Sequence, residues 1–125
     1  MSANWVKVCK ADDIALYSGV SALVFGRQVA ILRVRAGYYA ISDYDPFSGS
    51  YVLSHGFVDD QGVVPRVVSP VYNQSFSLLT GECLSDPAIR LATYPVLVVR
   101  GLVHIAVKNE IESRYTFETA NSSRR

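Results

Sequence analysis

The chain lacks several features that commonly betray a function. It has no run near the roughly 18 apolar residues that a membrane-spanning helix needs. It has no GxGxxG or GxxxxGK[ST] loop, so neither a Rossmann nor a P-loop nucleotide site is expected. Its opening, MSANWVKVCKADD, is not a basic-then-apolar secretory leader, and a cytoplasmic protein is the simplest expectation. Charge is scarce: 18% of the 125 residues are charged, and the formal net charge is +1. That balance excludes a strong pull toward nucleic acid or anionic lipid, and the basic pair Arg124–Arg125 sits at the very end. The 8 tyrosines, with no basic groove, do not make a stacking platform for single strands.

Cysteine and histidine are also rare, at 2 each. Cys9 and Cys83 lie far apart, and a reducing compartment disfavours pairing them, so two free buried thiols are expected. His104, between Val103 and Ile105, is expected to face solvent from a strand. His55 is expected in a turn beside Gly56. Neither has a catalytic partner visible in the sequence.

What the chain does have is β chemistry. Half of it is hydrophobic, enough for one compact core, and Val, Ile, Tyr and Phe recur between frequent turn residues. Strands are expected at Trp5–Cys9, Val20–Phe25, Gln28–Val34 and Tyr38–Ser42, the last three as a meander. Lys10–Leu16 reads as a helical turn or a loop. Asp43–Ser50 (DYDPFSGS) is loop chemistry, and Tyr51–Val58 is ambiguous. Asp59–Gly62 is a turn, Val63–Val68 a strand with an edge or bulge at Pro65, Ser69–Gln74 a second loop and Ser75–Leu78 a short strand. Thr80-Gly81-Glu82 and Asp86–Pro87 read as turns, and Tyr94–Val99 with Leu102–Val107 as a final hairpin. Residues 108–125 are polar and read as a tail, with a short helical stretch near Glu110–Phe117 or disorder. The expected fold is all-β, an antiparallel sandwich or barrel of about nine to eleven short strands over residues 1–107.

Two loops stand out, because each follows a strand and centres on a proline. The first reads Asp45-Pro46-Phe47. The second reads Ser69-Pro70-Val71-Tyr72-Asn73 and runs on through Phe76-Ser77-Leu78 to Thr80-Gly81-Glu82-Cys83. This frame resembles the Rieske-type ferredoxin domains, whose loops are Cys-Pro-His and Cys-Pro-x-His-Gly. The resemblance puts Asp45, Phe47, Ser69 and Tyr72 at the four ligand positions. A Rieske centre needs two thiolates and two imidazoles. Phe47 has no donor atom, Ser69 is a poor substitute for a thiolate, Tyr72 titrates near pH 10, and Asp45 is a hard oxygen ligand. No cofactor or metal is therefore expected on this chain.

Within that superfamily the chain resembles the small subunits of assimilatory NAD(P)H-dependent nitrite reductases, which keep the fold and lack the ligands. The residues that carry the resemblance are Trp5–Cys9 with Asp12-Asp13-Ile14, Gln28–Ile31, Ala40-Ile41-Ser42 leading to Asp45-Pro46-Phe47, Val52-Leu53-Ser54 with Gly56, and Ser69-Pro70. The resemblance implies an accessory, non-catalytic subunit. Its partner would be a large subunit carrying FAD, an iron–sulfur cluster and sirohaem, which reduces nitrite to ammonia.

Two roles are open for the degenerate positions Asp45, Pro46, Phe47, Ser69, Pro70 and Tyr72. Phe47 can pack into the space a cluster would fill while Asp45 accepts backbone N–H groups. Alternatively the loop tips, with Tyr44, Phe47 and Tyr72, form a partner contact. A calcium loop starting at Asp43 and Asp45 lacks its third acidic position and its closing glutamate. Two rival functions are also open: a redox carrier with an unorthodox centre, and a stand-alone β-barrel ligand-binding module.

Overall fold

The computed structural model describes residues 3–108; of the expected tail 108–125, Lys108 ends the last strand and the rest lies outside the described residues. Fourteen short strands run in the order β1 (Ala3–Lys10), β2 (Gly19–Val24), β3 (Arg27–Val34), β4 (Gly37–Ser42), β5 (Tyr44–Asp45), β6 (Ser50–Tyr51), β7 (Phe57–Asp59), β8 (Arg66–Val68), β9 (Ser75–Ser77), β10 (Glu82–Cys83), β11 (Asp86–Arg90), β12 (Thr93–Tyr94), β13 (Val96–Val99) and β14 (Leu102–Lys108). Single 3₁₀ turns lie at Ala11–Asp13 and Leu53–His55. All the pairings are antiparallel, and no α-helix occurs among the described residues.

The strands form three stacked layers. One outer sheet is β1-β14-β13, the middle sheet β12-β4-β3-β2, the other outer sheet β11-β10-β9-β8-β7, and β5-β6 is a separate ribbon. Strand β3 explains the stacking. Val29, Ala30, Ile31 and Leu32 are all buried in succession. A period of two cannot hide four consecutive side chains against one layer, so this strand is covered on both faces. Val29 and Ile31 pack with Val103, Ile105 and Val107 of β14. Ala30, Leu32 and Val34 pack with Val58, Val67, Phe76 and Leu78 on the other side.

The strand count exceeds the expected nine to eleven for physical reasons. The expected strand Tyr94–Val99 is split at Pro95, which lacks an N–H: Thr93–Tyr94 pairs with β4 in the middle sheet, and Val96–Val99 pairs with β14 in an outer one. The Asp43–Ser50 loop contains β5 and, with Tyr51, closes the ribbon to β6. Asp86–Pro87 is not a turn. It opens β11, an edge strand, where a residue without a backbone donor costs the ladder nothing on its open side. The expected strand Val63–Val68 shortens to Arg66–Val68, beginning after Pro65. The ambiguous Tyr51–Val58 resolves into the end of β6, a 3₁₀ turn and the start of β7.

The turn Thr80-Gly81-Glu82 requires its glycine. Gly81 has φ +83°, and a Cβ there would collide with the Leu91 carbonyl. The Gly81 N–H is bonded to Ser77 O, and the Leu91 N–H to Gly81 O, both at 2.8 Å, which ties β9 to the segment after β11. Cys9 and Cys83 are both free; Cys83 is buried and Cys9 half-buried. Burial, with the Asp13 charge adding to it, raises the Cys9 thiol above its ordinary value.

Candidate functional site

The two proline loops meet at one end of the layers. The β3–β4 register carries the chain from Ser42, opposite Val29, into the first loop. The β7–β8–β9 ladder carries it from Val68, opposite Phe57 and Ser75, into the second. Asp43 fastens the first loop at its root. It is fully buried, its Oδ1 accepts the Ser54 N–H at 2.6 Å, and its Oδ2 accepts a Gln28 Nε2–H at 2.9 Å. Its own N–H donates to Gln28 O at 3.0 Å and its carbonyl accepts from Leu53 N–H at 3.2 Å, so the hairpin and the 3₁₀ turn are both bound to it. The Asp43-x-Asp45 alternation therefore serves structure: the first aspartate roots the loop and the second closes it.

Asp45 and Ser69, 24 residues apart, touch. Ser69 Oγ donates to Asp45 Oδ2 at 2.6 Å, and both residues are fully buried. Ser48 Oγ donates to the same oxygen at 3.0 Å, and the Phe47 N–H donates to Oδ1 at 2.9 Å. Ser69 Oγ in turn accepts the Val71 N–H at 3.2 Å. Three donors thus replace the water that the carboxylate loses on burial, and no cation is needed to hold it. Each loop also closes on its own backbone, Gly49 N–H to Asp45 O at 2.8 Å and Asn73 N–H to Ser69 O at 3.1 Å. Asn73 takes a left-handed φ of +61°, which a short polar side chain tolerates well.

Phe47 packs inward on the core that contains Phe76, the ring centroids 6.2 Å apart and tilted by 47°. Of the six degenerate positions, the structure therefore brings Asp45, Phe47 and Ser69 together. Pro46, Pro70 and Tyr72 face outward, and Tyr72 is 62% exposed.

Around this plug lies an apolar rim. Tyr44 and Tyr51 pair across the β5–β6 ribbon, centroids 5.2 Å apart, with an exposed face on each. Val71 and Phe57 are exposed beside the second loop. The tip of the β2–β3 hairpin ends on the same side, because Gln28 next to it bonds to Asp43, and it exposes Leu23 and Phe25. The sequence does not place Leu23, Phe25 and Phe57 at this end of the fold. Each reads locally as an ordinary strand or turn residue, and only the register reveals which end of the fold it decorates.

Residues 4–106 match the Rieske-like [2Fe-2S] domain family. The chain is 37% identical over 105 residues to the nitrite reductase (NADH) small subunit of Salmonella typhimurium, an overlap of 82% of this chain and 97% of that protein. The chain belongs to this small-subunit family. A protein of known structure from Mycobacterium tuberculosis, assigned as an NADH-dependent nitrite reductase small subunit, superposes with a TM-score of 0.81 at 36% identity, covering 86% of this chain and 97% of that one. The same domain also recurs inside a longer chain. The nitrite reductase [NAD(P)H] large subunit of Klebsiella oxytoca is 33% identical over 104 residues, which is 83% of this chain and 11% of that protein.

The wider Rieske-like family implies a [2Fe-2S] cluster, and the residues here do not fit one. The Rieske pattern asks for two thiolates and two imidazoles, whereas the loops supply a carboxylate, a hydroxyl, a phenyl ring and an exposed phenol. Two of the four positions are bonded directly to each other, and a third is filled by the Phe47 ring. Neither Cys9, Cys83, His55 nor His104 belongs to either loop. Cys83 contacts Gln74 and Ser85, and His104 Nδ1 lies 3.2 Å from Leu102 O. His104 is half-buried on β14 between the buried Val103 and Ile105, and His55 is exposed in its 3₁₀ turn. Among the described residues no three His, Cys, Asp or Glu side chains converge as a metal site would require. No helix among them is long and apolar enough to cross a membrane.

Proposed function

We propose that this chain is a non-catalytic, cluster-free subunit of a cytoplasmic NAD(P)H-dependent nitrite reductase, acting by binding the large subunit. The observation that carries this reading is the self-satisfied plug in a retained cluster frame: Ser48 and Ser69 both donate to Asp45 Oδ2 while Phe47 packs inward on the core. The chain keeps the shape of a docking end and has given up the electron-carrying donors. FAD, the iron–sulfur cluster and sirohaem belong to the large subunit in this reading, as does the reduction of nitrite to ammonia.

The contact surface is the rim of that end, with Tyr44, Pro46, Tyr51, Pro70 and Tyr72 as its aromatic and proline contacts. Exposed aromatic side chains on loops held by a rigid base lose little entropy on docking. Phe47 serves as the inner support of this surface. The occurrence of the domain within the Klebsiella large-subunit chain favours a partner held permanently close.

The test is co-expression of the full chain with a large subunit from the same family. Co-purification, together with a change in nitrite-dependent NAD(P)H oxidation when the small chain is omitted, supports the reading. No association and unchanged turnover overturn it. Stoichiometric iron with visible absorbance in the isolated chain would favour the rival reading of a redox carrier.

A further inference from the structure

The tip of the β2–β3 hairpin is built against the preference of one of its own residues. Val24 pairs with Arg27, so the turn has two central residues, Phe25 and Gly26. Both have positive φ, +49° and +79°, the pattern of the tight turn that suits hairpin twist and that Asn-Gly fills most readily. Glycine meets that demand at the second position. At the first, a bulky side chain in the left-handed region is strained, because its Cβ crowds the neighbouring carbonyl. Core packing does not offset the strain. The Phe25 ring belongs to neither apolar core and is 48% exposed, and Leu23, two residues earlier, is 75% exposed. A Cβ on Gly26 would meet nothing within 4 Å, so the tip stands clear of the rest of the described structure. Backbone strain that packing leaves uncompensated is a signature of a functional position.

The chemistry around the tip narrows that use. Gln28, opposite Leu23, bonds to Asp43 at the root of the first loop, so the hairpin is fastened to the end where the two proline loops meet. That end is nearly free of accessible charge. Residues 43–58 contain two charged side chains, Asp43 and Asp45, both fully buried, and residues 67–81 contain none. Arg27, directly after the turn, adds one cation. We infer, on the subunit reading proposed above, that Phe25 with Leu23 is the anchor of this docking end and enters an uncharged, apolar pocket on the large subunit. Interface centres are depleted in charge and enriched in aromatic anchors, and this end has both properties. A strongly charged partner surface would find no complement here. A tight turn presents the ring already ordered, so little entropy is lost when it docks.

Phe25→Asn separates folding from docking, because asparagine suits a left-handed φ. In the full chain this variant is expected to raise the thermal unfolding midpoint by about 2–5 °C. It is also expected to bind the large subunit about tenfold or more weakly, measured by biolayer interferometry. Leu23→Ser is expected to weaken binding about threefold with the unfolding midpoint unchanged. Raising sodium chloride from about 50 to about 500 mM is expected to change the parent's dissociation constant by less than about threefold, since apolar docking is little affected by screening. Parental binding by Phe25→Asn, beside weakened binding by Tyr72→Ala, overturns the inference and leaves the subunit reading standing. A parent chain that does not bind the large subunit overturns both. A lowered unfolding midpoint in Phe25→Asn would make the ring a structural residue and overturns the inference. So does a loss of parental affinity of about tenfold or more at high salt, which would make docking electrostatic. Self-association of the parent that Phe25→Asn abolishes would assign the tip to a second copy and overturn it too.

Discussion

The two proline loops differ in where they turn their key residues. The first turns both of its key residues inward: Asp45 is fully buried and Phe47 packs on the core. The second sends one each way, Ser69 inward to Asp45 and Tyr72 outward to solvent. Three of these four residues are thus part of the packed structure, and one is surface. In a cluster-bearing domain a metal would impose the loop geometry from the middle. Here a carboxylate with three neutral donors and a phenyl ring impose it, and the cost is ordinary burial rather than cofactor loading. The comparison predicts that substitutions at inward positions change stability, whereas a substitution at the outward one changes only association.

The largest expected effect is at Phe47. Replacing Phe47 with Ala removes a ring packed against Phe76 and opens a void under both loops. A fully buried Phe→Ala change costs about 3–5 kcal/mol, and this ring is half-buried, so a loss of about 2–3 kcal/mol is expected in urea or thermal unfolding. A loss within about 0.5 kcal/mol would mean that the loops do not rest on this ring, and would remove the inward half of the comparison.

Asp45 comes next. Asp45→Ala strips the shared acceptor from Ser69, Ser48 and the Phe47 N–H at once, with an expected loss of about 2 kcal/mol. Ser69→Ala is expected to cost less, since Asp45 keeps two donors. A double-mutant cycle between them should show coupling of about 1 kcal/mol or more, because each residue's role runs through the other. Strict additivity would show that the 2.6 Å bond does not hold the loops together.

Much of this arrangement was legible in the residues, and the limits were physical. The run Gln28–Val34 announced a strand by its apolar content, but only three-layer stacking explains why four successive side chains are buried. Asp45 as an acceptor and Phe47 as a filler were one of two roles the residues left open, and the structure shows both. The bond from Asp45 to Ser69 was not legible, because partners 24 residues apart are chosen by strand register, which local pattern leaves open. Proline misled in one place and informed poorly in another. Pro87 suggested a turn but sits in an edge strand, and Pro95 looked like part of a hairpin but marks the point where the chain changes sheets. In both cases the missing N–H is tolerated for a reason visible only once the neighbours are known.

A third buried aspartate sharpens the contrast by a smaller effect. Asp59 sits at the other end of the β7–β8 ladder from Ser69, opposite Arg66. The Gln61 N–H at 2.7 Å holds its carboxyl below the ordinary aspartate range; burial opposes this, and the Arg66 guanidinium, 3.1 Å away, adds to it. A carboxylate whose folded value is depressed stabilises the fold above its unfolded value, and that contribution fades as the pH falls through the folded one. Stability is therefore expected to drop on acidification below the ordinary aspartate range, and Asp59→Asn should flatten that acid limb while lowering stability slightly at neutral pH. Arg66 is 40% exposed, so screening keeps the neutral-pH effect small and salt should reduce it further. An acid limb unchanged in the Asn variant would remove Asp59 as its source.

Tyr72 is where the comparison is most exposed to refutation, since the expected stability change is near zero. The side chain is 62% open and lies outside both apolar cores, so Tyr72→Ala should unfold within about 0.5 kcal/mol of the parent. If the rim docks on the large subunit, the same variant should bind it about tenfold or more weakly, the loss typical of an aromatic anchor truncated at an interface. Thr93→Ala, on a strand of the middle sheet and outside the rim, controls for nonspecific effects and should bind as the parent does. A destabilised Tyr72→Ala would mean that the outward ring supports the loop after all. A stable variant that binds normally would mean that the plugged end has kept its shape without keeping a partner, and the docking surface would have to be sought on another face.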